Sequence, residues 1–588
     1  MVAKERSCKK ENLGSVAQFS TRGVTETGIC TTMMTIADRA RDWAIWLTRF
    51  ASVTGTQGER DLPAALAERL RASLLWRGCE VWLIPAPDDV LGRSCLAVLA
   101  RGKGDKALLL TGHFDTVPVD DYGELRELAT DPEPLREALL RQLRSPATPA
   151  EELAKRDLES GLFLPGRGLL DMKAGLAAGL AAIEEFLQSS ERLGNLLFVA
   201  VPDEEVNSVG ARALATAMPQ IVQERGIRLV GAINLDCIGD RGDGTLGRSV
   251  ALGSVGKLLP TALVIGQPTH ASHPLQGINA AAIAGAIASR LEWATELTDR
   301  PDGEPGIPPT LLSLKDSKRH YDVTTPDACF ASWNILTMGR AAADVLGAFE
   351  DLIRDAVAAF ARTLAERQAF ATTTNSTPQD IPIFRASAVV AEASRDPSNA
   401  DGLKQMARQL SCDGLSLPDQ NEKLTFRAWQ LAGRSGPAVV IGFGSLPYPH
   451  VEMDQSDQAQ AMFAAIEVAR AQTMATRDTV VGLCRHFPGI SDMSFLGQAD
   501  TQSLGLIAEN TPAWDSGVRW SGAVIGVPTV NIGPWGRDYH TALERVETRY
   551  AFDLLPRLLL DVARARFRTI TPDPGAVTTK FAGRHWSV

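Results

Sequence analysis

Leu108-Leu-Leu-Thr-Gly-His-Phe-Asp-Thr-Val-Pro118 is an apolar run that stops at two ionisable residues one position apart, His113 and Asp115. The run has the length and composition of a buried strand. In open α/β sheets, ligands sit just beyond the carboxyl ends of strands. A histidine at such an end can bind a metal, and Asp115 can accept its other ring N–H and fix the tautomer. A polar turn after a core strand is the plainer reading of the same residues.

The same pattern recurs along the chain. Pro165-Gly-Arg-Gly-Leu-Leu-Asp-Met-Lys-Ala-Gly175 is a glycine-rich turn that delivers Asp171 at the start of an apolar helix, Leu176 to Leu187. Asn195-Leu-Leu-Phe-Val-Ala-Val-Pro-Asp-Glu-Glu205 is a second apolar strand ending in acids, and Arg228-Leu-Val-Gly-Ala-Ile-Asn-Leu-Asp236 a third. Val527-Pro-Thr-Val-Asn-Ile-Gly-Pro-Trp-Gly-Arg-Asp-Tyr-His540 brings another histidine far along the chain. Solvation accounts for one strand ending in charge, but poorly for repeated presentation of His, Asp and Glu. Nitrogen and oxygen donors of this kind suit Zn²⁺, with Co²⁺ or Mn²⁺ as substitutes.

His-x-Asp-Thr-Val-Pro, Gly-Arg-Gly-x-x-Asp-Met-Lys, Asp-Glu-Glu and His-Thr-x-x-Glu occur in that order. In this the chain resembles the dinuclear zinc metallohydrolases that include aminoacylases, carboxypeptidase G and succinyl-diaminopimelate desuccinylase. The resemblance runs from about Ile36 to Ala565. Phe487-Pro-Gly-Ile-Ser-Asp-Met-Ser-Phe495 and the chain length look most like the arginine-utilisation (RocB-type) branch.

The resemblance implies two Zn²⁺ per chain, held by His113, Asp171, Glu205, Asp236 and His540. Asp171 would bridge, with His113 and Asp236 on one ion and Glu205 and His540 on the other. Asp240 lies close enough to Asp236 to compete for its place; Asp236 is preferred because it directly follows the apolar strand. Asp115 would orient His113. Glu204 would be the general base, since neighbours in an extended segment face opposite ways and Glu205 would take the metal. In Thr269-His-Ala-Ser-His-Pro274, His270 would reach the substrate or oxyanion, often from a neighbouring subunit; His273 is the competing assignment, and a solvated loop histidine the plain reading of either. Asn279, Ser491 and Asp492 are candidate substrate contacts, with Asn279 equally readable as a helix N-cap.

The fold implied is α/β. A catalytic domain with a mixed sheet and helices on both faces is interrupted by an α+β, ferredoxin-like lid with an extra insertion. The expected partition is a disordered leader at 1–35, with Met33-Met34 permitting a later start, then catalytic halves at 36–245 and 476–588 around a lid at 246–475. Within the lid, a β-α-β-α succession predicts an antiparallel sheet with helices on one face. Two long inserts, 124–164 and 381–475, depart from simpler relatives, and Met172-Lys-Ala-Gly175 replaces the family's Met-Lys-Gly-Gly.

Composition agrees. The 588 residues are 45% hydrophobic and 22% charged, ordinary values for a globular protein. A formal charge of −10 without a basic cluster disfavours nucleic acid as a partner. No apolar run approaches the roughly 18 residues of a membrane span. Eight scattered cysteines without a C-x-x-C pair predict reduced thiols in the cytoplasm. The expected activity is hydrolysis of an amide bond in an N-acyl amino acid or short peptide, with pairing of two chains through the lid as an accompanying arrangement. A ureido or amidino C–N hydrolase, or a metal-bound but catalytically silent binding protein, are the alternatives.

Overall fold

The computed structural model describes residues 34–568, apart from 302–305, 319, 373–378 and 498–502. The expected leader at 1–35 therefore lies outside the described residues, except for its last two positions.

Lys103–His113 is the hinge of the architecture. Its Ala107 to Leu110 are at most 1% exposed, as expected of a strand covered on both faces. It pairs in parallel with Leu193–Val201 on one side and Arg228–Asn234 on the other. Thr529–Asn531 joins in parallel beyond Arg228–Asn234. Glu80–Pro85, Ser94–Ala100, Ser249–Ala251 and Gly482–Cys484 complete an eight-stranded sheet that mixes parallel and antiparallel pairs.

Parallel pairing brings carboxyl ends to one edge. His113 lies opposite Val201, Thr111 opposite Asn234, and Asn234 opposite Asn531. The segments carrying His113, Glu204, Asp236 and His540 therefore all leave the sheet along the same edge.

One face is covered by Ile36–Arg49, Gln57–Ala72, Ala174–Gln188, Asp457–Arg477 and Leu555–Arg568, and the other by Val209–Arg225. In Ile36–Arg49, Ala40, Trp43, Ala44 and Leu47 fall at helical spacing and are all buried. Ala174–Gln188 is buried over most of its circumference. A Cβ at Gly175 would stand 2.0 Å from the Leu235 carbonyl oxygen, so only glycine permits this close approach. Ala174, where the family's first glycine would stand, is fully buried.

A second sheet runs Thr310–Asp316, Ala328–Thr337, Pro260–Ile265, Ala438–Phe443, Ile383–Arg385, with Gly256–Leu258 added beside Ala328–Thr337. All its pairs are antiparallel except the last, Ile383–Arg385 with Ala438–Phe443. Two features differ from the sequence-based expectation. Helices cover both faces: Ala280–Leu291 and Ala342–Thr372 pack on Ala262, Val264 and Trp333, while the 386–431 helices pack on Leu263, Ile265 and Val440. Alternating side chains of a central strand are apolar on both sides, so the second face also needs cover. The chain also returns to the first sheet before the expected position 476. Met462, Ile466 and Ala469 of Asp457–Arg477 already belong to the first sheet's core.

A third, small sheet joins Phe163–Pro165, Arg545–Glu547, Trp535–Arg537 and Ile238–Gly239. Insert 124–164 feeds it through helices Pro132–Gln142 and Pro149–Ser160, the second opened by a Thr148–Glu151 capping box.

Candidate active site

Asp171 sits at the centre of the shared edge. Its Oδ1 lies 3.0 Å from His113 Nε2 and its Oδ2 3.2 Å from His540 Nε2. His540 Nε2 is also 3.1 Å from Glu205 Oε1, while His113 Nε2 is 4.0 Å from both Asp236 Oδ1 and Glu204 Oε2. The structure thus brings together His113, Asp171, Glu204, Glu205, Asp236 and His540. Two metal-capable groups, His113–Asp171–Glu205 and Asp171–Asp236–Cys237, share Asp171. His540 adopts a left-handed backbone (φ 61°), a conformation costly for a non-glycine residue and concentrated at functional sites.

Asp240 is removed as a competitor of Asp236. Its oxygens accept hydrogen bonds from the amides of Gly242, Leu246 and Gly247 at 2.6–3.1 Å, which organise its own loop. Asp236 is instead held by Asn531, whose side chain accepts from the Asp236 amide and donates to its carbonyl.

Asp115 has a different task from the one expected. His113 Nδ1 lies 3.1 Å from the Asp115 backbone carbonyl and 3.7 Å from its carboxylate. The carboxylate accepts the amides of Glu204 and Glu205, at 3.1 and 3.3 Å, and the Thr54 hydroxyl at 2.9 Å. The main chain fixes the histidine tautomer, and the acid anchors the Glu204-Glu205 loop. Behind that loop, Arg93 joins buried Glu59 and Asp203 at 3.1 and 2.7 Å.

The remaining candidates fall into two groups. His270 is exposed on the second-sheet unit, with Nδ1 2.6 Å from Ser272 Oγ; among the described residues no hydrogen bond or ion pair links it to the carboxylate cluster. His273 pairs with the same serine. Asn279 caps its helix by accepting from the Ala281 amide at 2.9 Å, which is the plain reading of that residue. Ser491 is fully buried and accepts from Asn234 at 2.9 Å. Asp492 is 2% exposed, and burial raises its carboxyl to about 7, opposed by the Ser208 hydroxyl and the His113 charge. Ser491 thereby joins the Asn234–Asn531 pair that holds Asp236, and Asp492 acts on the Glu204 carboxyl through its charge.

Charge concentrates here beyond what protein partners neutralise. Burial drives the Glu204 carboxyl well above its ordinary range, opposed by His113 and reinforced by Asp492, Asp236 and Glu205. Burial, then the Asp171 charge, pushes Asp236 up to about 8. Burial also raises Glu205. Asp171 is held far below its ordinary value despite burial, because both histidines hydrogen-bond to it. Hydrogen bonds to Asp171 and Glu205 raise His540 to about 10, and His113 is raised well above normal by Asp171 although burial works against it. Clustered buried carboxylates with imidazole donors are the environment a divalent cation relieves. The donor set and its shared central carboxylate fit two ions.

A pH prediction follows for the metal-free protein. Burial raises Glu59 and Glu544 to about 7 and Asp236 to about 8. Groups raised on folding contribute stability that is full below their unfolded pKa and is lost as pH rises through the folded one. The contribution of His540 likewise declines progressively as pH rises from about 6.5 to about 10. That of Asp171 is lost only in strong acid. Metal-free protein should therefore unfold at lower urea concentration at pH 8 than at pH 5.5; an unchanged or higher midpoint at pH 8 would contradict these shifts.

Strand ends that converge carboxylates and imidazoles around one bridging acid define a metallopeptidase-type hydrolase site on an α/β scaffold. Residues 109–513 match Peptidase family M20/M25/M40, and the chain belongs to that family. It is 30% identical to the uncharacterized protein YqjN of Bacillus subtilis over 87% of this chain and 93% of that one. It is 26% identical to the protein RocB of the same organism, over 90% and 94% of the two chains. Succinyl-diaminopimelate desuccinylase of Cupriavidus necator is 30% identical over 44% of this chain and 59% of its own. The protein is thus an enzyme of the metallopeptidase type, with relatives of RocB type along nearly its whole length. Among the described residues no helix is long and apolar enough to cross a membrane.

Arg93, Glu59, Asn531 and Arg167 were not legible as site supports. Arg167 and Glu544 lie inside quoted motifs, but their roles depend on partners more than 370 residues apart.

Proposed function

We propose that this protein is a dinuclear-metal amidohydrolase that cleaves the amide bond of an N-acyl amino acid or short peptide. The observation that carries the reading is Asp171, with one carboxylate oxygen turned to each of two histidines, 3.0 and 3.2 Å away. His113 and Asp236 would complete one ion's donors, Glu205 and His540 the other's, with Zn²⁺ the cation best suited. When bound, the ions supply polarisation of the scissile carbonyl and a lowered pKa for the attacking water.

Glu204 is the one acid of the cluster left over for proton transfer. Its amide is pinned by Asp115, and its side chain is only 13% exposed. It takes the proton of the attacking water and returns it to the departing amine. The second-sheet unit is read as the lid over this edge. Desuccinylase relatives, which act on an N-acyl compound by name, support the acyl-amino-acid class. Among the described residues Cys79, Cys95, Cys237, Cys329 and Cys412 are free thiols, which supports a cytoplasmic location.

The test is metal analysis of purified protein together with a panel of N-acyl amino acids and dipeptides. Two metal equivalents per chain and chelator-sensitive release of free amine are expected. Chelation should also lower the melting temperature, since a ligand binding only the folded state stabilises it by mass action. Absence of metal, even after zinc or cobalt is supplied, would overturn the reading.

A further inference from the structure

Insert 124–164 delivers one buried acid, Asp157, to the base of the loop that carries His540. Arg537 Nη1 lies 2.6 Å from both oxygens of Asp157, and Arg545 Nε donates to it at 2.7 Å. These arginines stand on the two paired strands that bracket residues 538–544. Arg545 also reaches Asp538 at 2.8 Å, and Arg537 donates to the Asp240 and Gly242 carbonyls of the Asp236 segment. All four charged groups are buried, Arg545 completely and Asp157 to 8% exposure.

A second contact points the same way. Ala542 and Leu543, just after His540, pack against an apolar cluster that includes Leu135, Leu139 and Leu158 of the insert. The insert therefore grips the His540 loop by charge at its base and by apolar packing along its outer side. His540 itself holds a left-handed backbone and a 41% exposed side chain, so its own packing does little to fix it.

We propose that Asp157 is a positioning residue for the His540 half of the metal site, and that this insert serves as a buttress of that site. The inference rests on the two-metal reading above. Groups that orient metal ligands typically change metal affinity about 10–100-fold when removed.

The experiment titrates Zn²⁺ into the full-length metal-free protein in competition with a chromophoric chelator, and records the Co²⁺ absorption spectrum. Wild type, Asp157→Asn and His540→Ala are compared. In Asp157→Asn one zinc equivalent should weaken by about 10-fold or more while the other changes little. Its cobalt spectrum at one equivalent should coincide with that of His540→Ala.

Because Asp157→Asn leaves buried arginines short of a partner, folding is checked by circular dichroism. The double variant Asp157→Leu/Arg537→Leu removes an anion and a cation together and keeps the Arg545–Asp538 pair. The same selective loss is expected from it. Two unchanged zinc affinities in a folded variant, or equal weakening of both, would overturn the proposal. Failure of wild type to bind zinc would instead overturn the metal-site reading itself.

Discussion

Replacing Glu204 by Gln is expected to lower kcat by about 10²–10⁴-fold while metal content and KM stay close to wild type. The substitution keeps the shape of the side chain and removes only its capacity to accept a proton. Asp115 holds the Glu204 amide, so the loop geometry does not depend on the carboxylate being lost. Burial and the neighbouring Asp492, Asp236 and Glu205 already disfavour the ionised form of Glu204, so an uncharged amide in its place should let the metal-free variant fold at least as well. An interaction needed only in the transition state lowers kcat and kcat/KM together. Substantial residual turnover with metal present would remove Glu204 from the role of base.

Asp171→Asn should have the larger effect, because one carboxylate faces both halves of the site. An amide retains one oxygen and turns a nitrogen donor toward the other histidine, where a cation would otherwise be shared. Loss of both tight metal equivalents is expected, with kcat/KM falling at least ~10⁴-fold, since the ions contribute several kcal/mol of charge stabilisation. Metal analysis separates the two variants: Glu204→Gln retains metal and Asp171→Asn does not. Two equivalents retained by Asp171→Asn would show that the acid does not bridge. The histidines report the change independently. Without the carboxylate that now raises both, His113 and His540 should titrate lower in the metal-free variant, which imidazole NMR signals would show.

His113, Glu205 and Asp236 were legible because each stands at or just past the end of an apolar run, where period and composition change together, whereas Asp171 and His540 were legible from the turns that carry them. Lys103–His113, Leu193–Val201 and Arg228–Asn234 were visible as strands, and parallel pairing then carries their ends to one edge. Asp236 over Asp240 could be argued only weakly from strand position. Tertiary contacts favour Asp236, because both Asp240 oxygens accept amides of its own loop. Asn279 had two readings, and the structure shows the cap. His270, taken from motif resemblance, is exposed and meets Ser272, because a motif fixes a residue's neighbours in sequence but not the face it presents.

By itself, the sequence determined which residue types end the strands, and hence the class of chemistry and the α/β scaffold that presents it. Those properties are local: apolar periodicity, turn glycines and a charged residue at a boundary. Only the tertiary structure decided which groups hold the donors in place. The Asp115 carboxylate grips the loop after Leu193–Val201, and Asp157 grips the strands around His540. The 386–431 helices cover the second face of the second sheet. Each of these depends on segments brought together across long stretches of chain, where burial turns an ordinary acid or arginine into a fixed partner. Sequence spacing carries no trace of that burial.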